Sequence, residues 1–290
     1  MSKDLEQILK RLEQLLPPAA PETDWAASIA FRWRTAGRAG GPARSAAGGW
    51  LQPVRQVHRI RLSDLRGIEK QIDRVEQNTR QFLEGRPANN VLLTGARGTG
   101  KSSIVKGLLH KYARQGLRLI EVEKNDLVDL PSIVDQVAAR PERFLLFCDD
   151  LSFHGAEEGY IALKVALDGS VSTTSENMLI YATSNRRHLM PEYMAENLET
   201  RYVGDEIHPG ETVEEKISLS ERFGLWVTFY PFDQDEYLAI VAHWLKTLGV
   251  KDTDSVREEA LQWSLQRGSR SGRVAYQFAR DWAGRHSKNK

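Results

Sequence analysis

Residues 90–103 read Asn90-Val91-Leu92-Leu93-Thr94-Gly95-Ala96-Arg97-Gly98-Thr99-Gly100-Lys101-Ser102-Ser103. A short apolar strand breaks into a glycine-rich loop of the pattern G-x-x-x-x-G-K-[ST], and a helix follows from Lys101 to about Arg114. No other segment restricts the fold as much, because a strand handed to a helix by so short a loop belongs to a sheet whose crossovers are helical. The same residues carry a chemistry. Gly95, Gly98 and Gly100 let the backbone curl so that successive N–H groups face an anion with no side chain in the way. Lys101 offers a point charge to β- and γ-phosphates, Ser102 a hydroxyl to Mg²⁺, and the helix N-terminus its dipole. Gly95, Ala96, Arg97, Gly98, Thr99, Gly100, Lys101, Ser102 and Ser103 are therefore the expected nucleotide-binding residues.

The remaining pattern extends this unit into a domain. Ile68, Ile72, Val75, Phe82 and Leu83 mark a helix before the first strand. Strands are expected at Leu117–Val122, Phe144–Cys148, Met178–Thr183 and Leu225–Tyr230, with helices from Leu130 to about Arg140 and from about Ala156 to Leu167. Several of the strands are apolar throughout, as in a parallel sheet covered on both faces. Beyond Pro231 the pattern is only helical: about Asp233–Leu248, Asp254–Arg267 and Gly272–Arg285. The expected fold is α/β, a parallel sheet covered by helices and followed by a small all-helical lid.

Ahead of this lies a different texture. Leu5, Ile8, Leu9, Leu12, Leu15 and Leu16 recur at helical spacing up to Pro17-Pro18, and the stretch from Ala19 to about Arg61 is rich in Ala, Gly, Pro and Arg with no convincing period. It reads as an irregular arm. The resulting division is 1–61 for the helix and arm, 62–231 for the nucleotide-binding domain and 232–290 for the lid.

Composition excludes several classes. A formal charge of +1 gives no global attraction to nucleic acid or anionic membrane. The single cysteine, Cys148, permits neither an internal disulfide framework nor a zinc cluster, and its place in Phe144-Leu145-Leu146-Phe147-Cys148 suits a buried apolar residue. His188 has no metal-ligand spacing to another His or Cys. No apolar run approaches a membrane span, and Met1-Ser2-Lys3-Asp4-Leu5 lacks a signal-peptide core, so a cytoplasmic location is expected.

The strand Phe144–Cys148 ends in Asp149 and Asp150, at the sheet edge where open α/β proteins bind ligands. Asp149 is expected to hold Mg²⁺ through water, and Asp150 to polarise the attacking water for an in-line transfer. With these in place, the chain from about Leu62 to its C-terminus resembles the AAA+ class of P-loop ATPases. Leu62-Ser63-Asp64-Leu65-Arg66-Gly67 is similar to the segment that cradles adenine, which implicates Leu65 and Gly67. Met178 to Asn185 is similar to the strand whose polar end senses the γ-phosphate, with Asn185 the best match and Ser184 or Thr183 as alternatives. Ser218-Leu219-Ser220-Glu221-Arg222-Phe223-Gly224-Leu225 resembles the box of the arginine finger, which puts Arg222 in that role. Gly268-Ser269-Arg270-Ser271-Gly272-Arg273 is similar to the second sensor on the lid, where Arg273 is preferred to Arg270.

More narrowly, the loop, Cys148-Asp149-Asp150-Leu151-Ser152-Phe153, Tyr181-Ala182-Thr183-Ser184-Asn185-Arg186-Arg187-His188-Leu189 and Gly268 to Arg273 resemble a bacterial AAA+ family classified as a domain of unknown function. The resemblance implies ATP and Mg²⁺ as ligands, hydrolysis, and assembly into a ring or filament in which Arg222 acts on nucleotide held by a neighbour. Asp150 departs from the pattern, since the class has glutamate there. A side chain shorter by one methylene holds water differently, so slow turnover, or a nucleotide switch with little turnover, is the alternative to a working ATPase.

Three classes of role compete: a motor remodelling a protein partner, a nucleic-acid-binding module similar to helicase loaders or branch-migration motors, and a kinase. The helical C-terminal domain fits AAA+ better than a kinase. Leu119 to Arg143 contains no aromatic residue and no glycine, which argues against threading of polypeptides through a pore loop. From Trp25 through Arg61 the arm has Arg32, Arg34, Arg38, Arg44, Arg55, Arg59 and Arg61 and no Asp, Glu or Lys, with Trp25, Phe31, Trp33 and Trp50 interleaved. Two readings stand: phosphate contact with base stacking, or aromatic anchoring of the arm on its own domain or a neighbouring subunit. The loop Arg186-Arg187-His188 is open in the same way, between a solvated turn and contact with a neighbour or partner.

Overall fold

A computed structural model describes residues 21–35, 49–153, 157–168, 176–186, 189, 201–203, 206–208, 219–250 and 256–286. The helix expected over residues 5–16, together with Arg38, Arg44, Arg187, His188 and Ser218, lies outside these. The strands are β1 (Ala30–Arg34), β2 (Trp50–Pro53), β3 (Val91–Gly95), β4 (Leu117–Glu121), β5 (Arg143–Cys148), β6 (Met178–Ser184), β7 (Arg201–Val203), β8 (Glu206–His208) and β9 (Leu225–Phe229). The α-helices are α1 (Glu69–Leu83), α2 (Lys101–Tyr112), α3 (Leu130–Val137), α4 (Glu158–Asp168), α5 (Gln234–Thr247), α6 (Arg257–Gln266) and α7 (Gly272–His286).

Seven strands form one sheet in the order β2-β1-β4-β5-β6-β3-β9, and β7 and β8 form a separate antiparallel pair. All neighbours in the large sheet are parallel except β2 on β1. Adjacent side chains in a strand point to opposite faces, so a uniformly apolar strand needs cover on both. Leu145 and Phe147 join a core made with α1, α2 and the lid, whereas Phe144, Leu146 and Cys148 join a second core beneath α3 and α4. Burial pushes the Cys148 thiol up to about 12, as befits a packing residue and not a nucleophile.

The strand order matters for function. β6 lies between β3 and β5, so the C-terminal ends of the loop strand, of β6 and of the acid-bearing strand come side by side. The lid is built on α5, opened by a capping box: Asp233 Oδ1 accepts from the Glu236 N–H at 2.8 Å, and Glu236 Oε2 accepts from the Asp233 N–H at 2.9 Å. Tyr237, Val241, Phe278 and Ala279 bury α5 against α7. No described helix is long and apolar enough to cross a membrane.

The arm is where the structure departs from expectation. Ala30–Arg34 and Trp50–Pro53 are strands at the edge of the main sheet, so a boundary at residue 62 cuts through it. Phe31 and Trp33 are buried, and the Trp33 indole N–H donates to Asp129 Oδ2 at 3.1 Å. Trp25 stacks obliquely on Phe31, with centroids 4.9 Å apart, and the Arg140 guanidinium lies over its ring at 4.4 Å. Arg32 pairs with Glu121 on β4, its Nε donating at 2.8 Å. The physical reason is alternation: Phe31 and Trp33 join the core on one face of the sheet, while Arg32 and Arg34 lie on the opposite face, partly open to solvent next to the edge strand β2.

Candidate functional site

A cavity of about 660 Å³ opens where the ends of β3, β5 and β6 meet the lid. Its walls include Arg97, Gly98, Thr99, Gly100, Lys101, Ser102 and Ser103 of the loop, together with Asp149, Asp150, Thr183, Asn185 and Arg273. Five cations (Arg66, Arg97, Lys101, Lys106, Arg273) face three acids (Asp64, Asp149, Asp150), a balance suited to a polyphosphate.

The loop's backbone is forced by its neighbours. Gly95 has φ 119°, and a Cβ on it would lie 1.9 Å from the Phe229 carbonyl oxygen of β9. Gly98 has φ 73°, and a Cβ there would meet Ser271 Oγ at 2.8 Å. Both positions therefore need glycine. Lys101 is 6% exposed, and its ammonium donates to the carbonyls of Gly95 at 2.8 Å and Ala96 at 2.7 Å and to Asn185 Oδ1 at 3.1 Å. Burial brings its pKa down from 10.5 to about 8; Asp150 and Asp149 oppose the shift, and Arg97 and Arg273 add to it.

The acids sit opposite. Ser102 Oγ donates to Asp149 Oδ1 at 2.5 Å, and Thr183 Oγ1 donates to the same oxygen at 2.6 Å. Among the described residues Asp150 alone, apart from glycines, has a positive φ, 54°. Its backbone N–H donates to Thr183 Oγ1 at 2.9 Å, and its Oδ1 accepts from the Asn185 amide. Lys101, Asn185 and Asp150 are thus joined in one hydrogen-bonded chain. The donor set fits Mg²⁺: a hydroxyl and a carboxylate, both hard oxygens, on adjacent atoms with room for water and phosphate.

Arg273 opens α7 and lies against the loop, its backbone N–H donating to the Gly98 carbonyl at 3.3 Å. Leu65 lines the cavity. Gly67 does not; it lines a neighbouring groove with Arg66 and His243, and a Cβ there would meet the Phe232 ring at 3.0 Å. Gly95 and Ala96 contribute carbonyls to Lys101, not cavity wall. Arg222 is not in the cavity of its own chain, and it forms an ion pair with Asp168 at the end of α4. The sequence reading missed the apolar wall of Ile60, Phe232, Ile240, Trp244 and Tyr276. Trp244 and Tyr276 come from different lid helices, with ring centroids 4.6 Å apart, and no spacing in the sequence announces that meeting.

A phosphate loop at the end of a parallel strand, two acids two strands away and a helical lid define the protein class: a P-loop protein with the AAA+ fold. The ORC1 protein of Aeropyrum pernix, solved in complex with DNA, is similar at a TM-score of 0.53, with 17% identity over 77% of this chain and 62% of that one. A mutant of the RuvB Holliday junction branch migration motor of Thermotoga maritima is similar at 0.50, with 14% identity over 77% of this chain and 64% of that one. This chain therefore spans less than two thirds of the solved structures it matches. At such identity the likeness is one of fold. The chain belongs to the family described as "Protein of unknown function (DUF815)", whose model matches residues 27–286. No curated protein matches it.

Proposed function

We propose that this protein is a Mg²⁺-dependent ATPase of the AAA+ class that assembles with copies of itself and couples ATP hydrolysis to remodelling of a partner. The observation that carries the reading is the convergence of Lys101, Ser102, Asp149, Asp150, Asn185 and Arg273 on one cavity whose far wall is apolar and aromatic. Lys101 and the loop amides would hold the β- and γ-phosphates, and Ile60, Leu65, Trp244 and Tyr276 the base. Ser102, and Asp149 through water, would hold Mg²⁺, which when bound draws phosphate oxygens together and offsets their charge. Asp150, fixed by Asn185, orients the water, and Asn185 reports on the γ-phosphate. Arg222 lies outside its own chain's cavity, as a residue serving a neighbour's nucleotide must.

Lys101→Ala should abolish ATP binding, whereas Asp150→Asn should bind ATP and lose turnover. Equal nucleotide affinity of wild type and Lys101→Ala by calorimetry would defeat the first assignment, and unchanged hydrolysis in Asp150→Asn the second. A wild type that binds ATP and turns it over only marginally would favour the nucleotide-switch version.

A second reading, contact with nucleic acid, is narrowed to the phosphate backbone. Trp33 is buried, so base stacking by it is not available. Arg55, Arg59 and Arg61 are exposed and make no ion pair with described residues, and ORC1, which shares the fold, was solved on DNA.

A further inference from the structure

One side chain ties the two acids together. Thr183, 2% exposed near the end of β6, makes three hydrogen bonds to consecutive residues of the turn after β5. Its Oγ1 donates to Asp149 Oδ1 at 2.6 Å and accepts from the Asp150 N–H at 2.9 Å, and its carbonyl accepts from the Leu151 N–H at 2.7 Å. A hydroxyl has a single proton to give, and here it is spent on Asp149. The oxygen's lone pairs remain to accept, and one takes the Asp150 amide.

The turn needs such a fastener. Asp150 holds φ 54°, a left-handed conformation that an L-residue adopts only when its surroundings impose it. A simple side-chain cap would satisfy only one of these groups. We infer that Thr183 is the positioning residue of this site: it fixes Asp149 for the metal and Asp150 for the water in one geometry, through one hydroxyl. This inference rests on the ATPase reading above and assigns Thr183 a role distinct from γ-phosphate sensing, which falls to Asn185. Ser102 also donates to Asp149 Oδ1, so with Thr183 it occupies that oxygen and leaves Oδ2 without a protein donor among the described residues. A carboxylate held so can take a metal-bound water on its other oxygen without rotating.

Two variants separate the hydroxyl from the strand. Thr183→Val keeps the β-branched shape and removes the hydroxyl; Thr183→Ser keeps the hydroxyl. Three quantities are measured: ATP affinity in EDTA, Mn²⁺ affinity of the ATP complex by electron paramagnetic resonance, and the steady-state rate against Mg²⁺. Because groups that orient metal ligands typically contribute about 10–100-fold to metal affinity or activity, Thr183→Val should lose at least about tenfold in Mn²⁺ affinity and in kcat. Its ATP affinity in EDTA should stay within about twofold, and Thr183→Ser should recover most of the loss. Wild-type Mn²⁺ affinity and rate in Thr183→Val would overturn the inference, as would a Thr183→Ser variant as impaired as the valine one. If Thr183→Val does not fold, Thr183→Ser with unchanged metal affinity and rate still supports the hydroxyl, and an impaired serine variant refutes it. A wild type that binds no ATP, with or without metal, overturns the ATPase reading and this one with it; wild-type binding with an indifferent Thr183→Val overturns this one alone.

Discussion

ATP binding should take up a proton above pH 8, and the group responsible is Lys101. Its pKa in the free chain is about 8 because the ammonium is buried, and the nearby Arg97 and Arg273 outweigh part of what Asp150 and Asp149 restore. A triphosphate in the cavity adds several negative charges within reach of that ammonium and restores its preference for the charged form. At pH 8 the free chain is half protonated at Lys101, so binding takes up about 0.5 proton, and at pH 9 about 0.9, provided the complex keeps the charge. At pH 7 the uptake falls to about 0.1. The terminal phosphate is fully ionised by pH 8 and contributes nothing there. Affinity should therefore fall as pH rises, by up to about tenfold per unit, from about 8 until the complex itself deprotonates.

Calorimetry at pH 7, 8 and 9, in pairs of buffers with different ionisation enthalpies, reads the proton number from the slope of observed heat against buffer enthalpy. Arg97→Ala removes one of the cations that lower the Lys101 pKa, so the onset of uptake should move to higher pH. The stability of the free chain moves the other way. The unfolded lysine keeps its proton to about 10.5 while the folded one releases it near 8, so between these values this group favours folding more as pH rises. Weaker binding in that window is thus not loss of fold at this site. Tight ATP binding at pH 9 with proton uptake below about 0.1 would refute the argument, because Lys101 would then be charged in the free chain.

Two further outcomes are expected. A mixture of Arg222→Ala and Lys101→Ala should show ATP hydrolysis that neither variant has alone, since each supplies what the other lacks across an interface; an inactive mixture of subunits that demonstrably co-assemble would remove Arg222 from that role. Trp33→Ala should destabilise the chain by about 3–5 kcal/mol in denaturant unfolding, because the indole is 1% exposed and its N–H is bonded to Asp129. A loss below about 1 kcal/mol would mean that β1 does not depend on its anchor.

Much of this was legible because several interior strands carry unbroken apolar runs, and one such as Phe144-Leu145-Leu146-Phe147-Cys148, too short for a helix, fits a strand covered on both faces. The acids after it, and the loop after Val91–Thr94, then fall at one sheet edge by topology alone. The arm defeated the same reasoning. Phe31-Arg32-Trp33-Arg34 does alternate, but flanking Gly, Ala and Pro hid the period, and arginine interleaved with aromatics serves equally for stacking on bases and for a half-buried strand near the rim of a sheet. The partners decide between the two, and they lie far away in sequence: Glu121 for Arg32 and Asp129 for Trp33. The aromatic wall was illegible for a related reason. Trp244 and Tyr276 look like ordinary core residues of lid helices until the lid is docked on the loop through Gly98 and Arg273.

The arm is also continuous with the cavity, and this changes how a nucleic-acid role can be tested. β2 ends at Pro53, the Val54 N–H donates to the Ala30 carbonyl at 2.9 Å, and a few residues later His58 and Ile60 line the cavity. The His58 carbonyl is hydrogen-bonded to the ring of His110 on α2 at 2.9 Å, which fixes this strap along the helix that begins at Lys101. Deleting residues 25–50 would remove β1 and the first residue of β2, leave the edge of β4 unpaired and loosen the cavity wall, so lost binding of any ligand would follow from lost structure. Replacing Arg55, Arg59 and Arg61 by glutamine leaves the sheet and its buried aromatics in place, because these side chains are exposed and make no ion pair with described residues. Only such a surface change separates electrostatic contact with phosphate from the structural work that the rest of the arm performs.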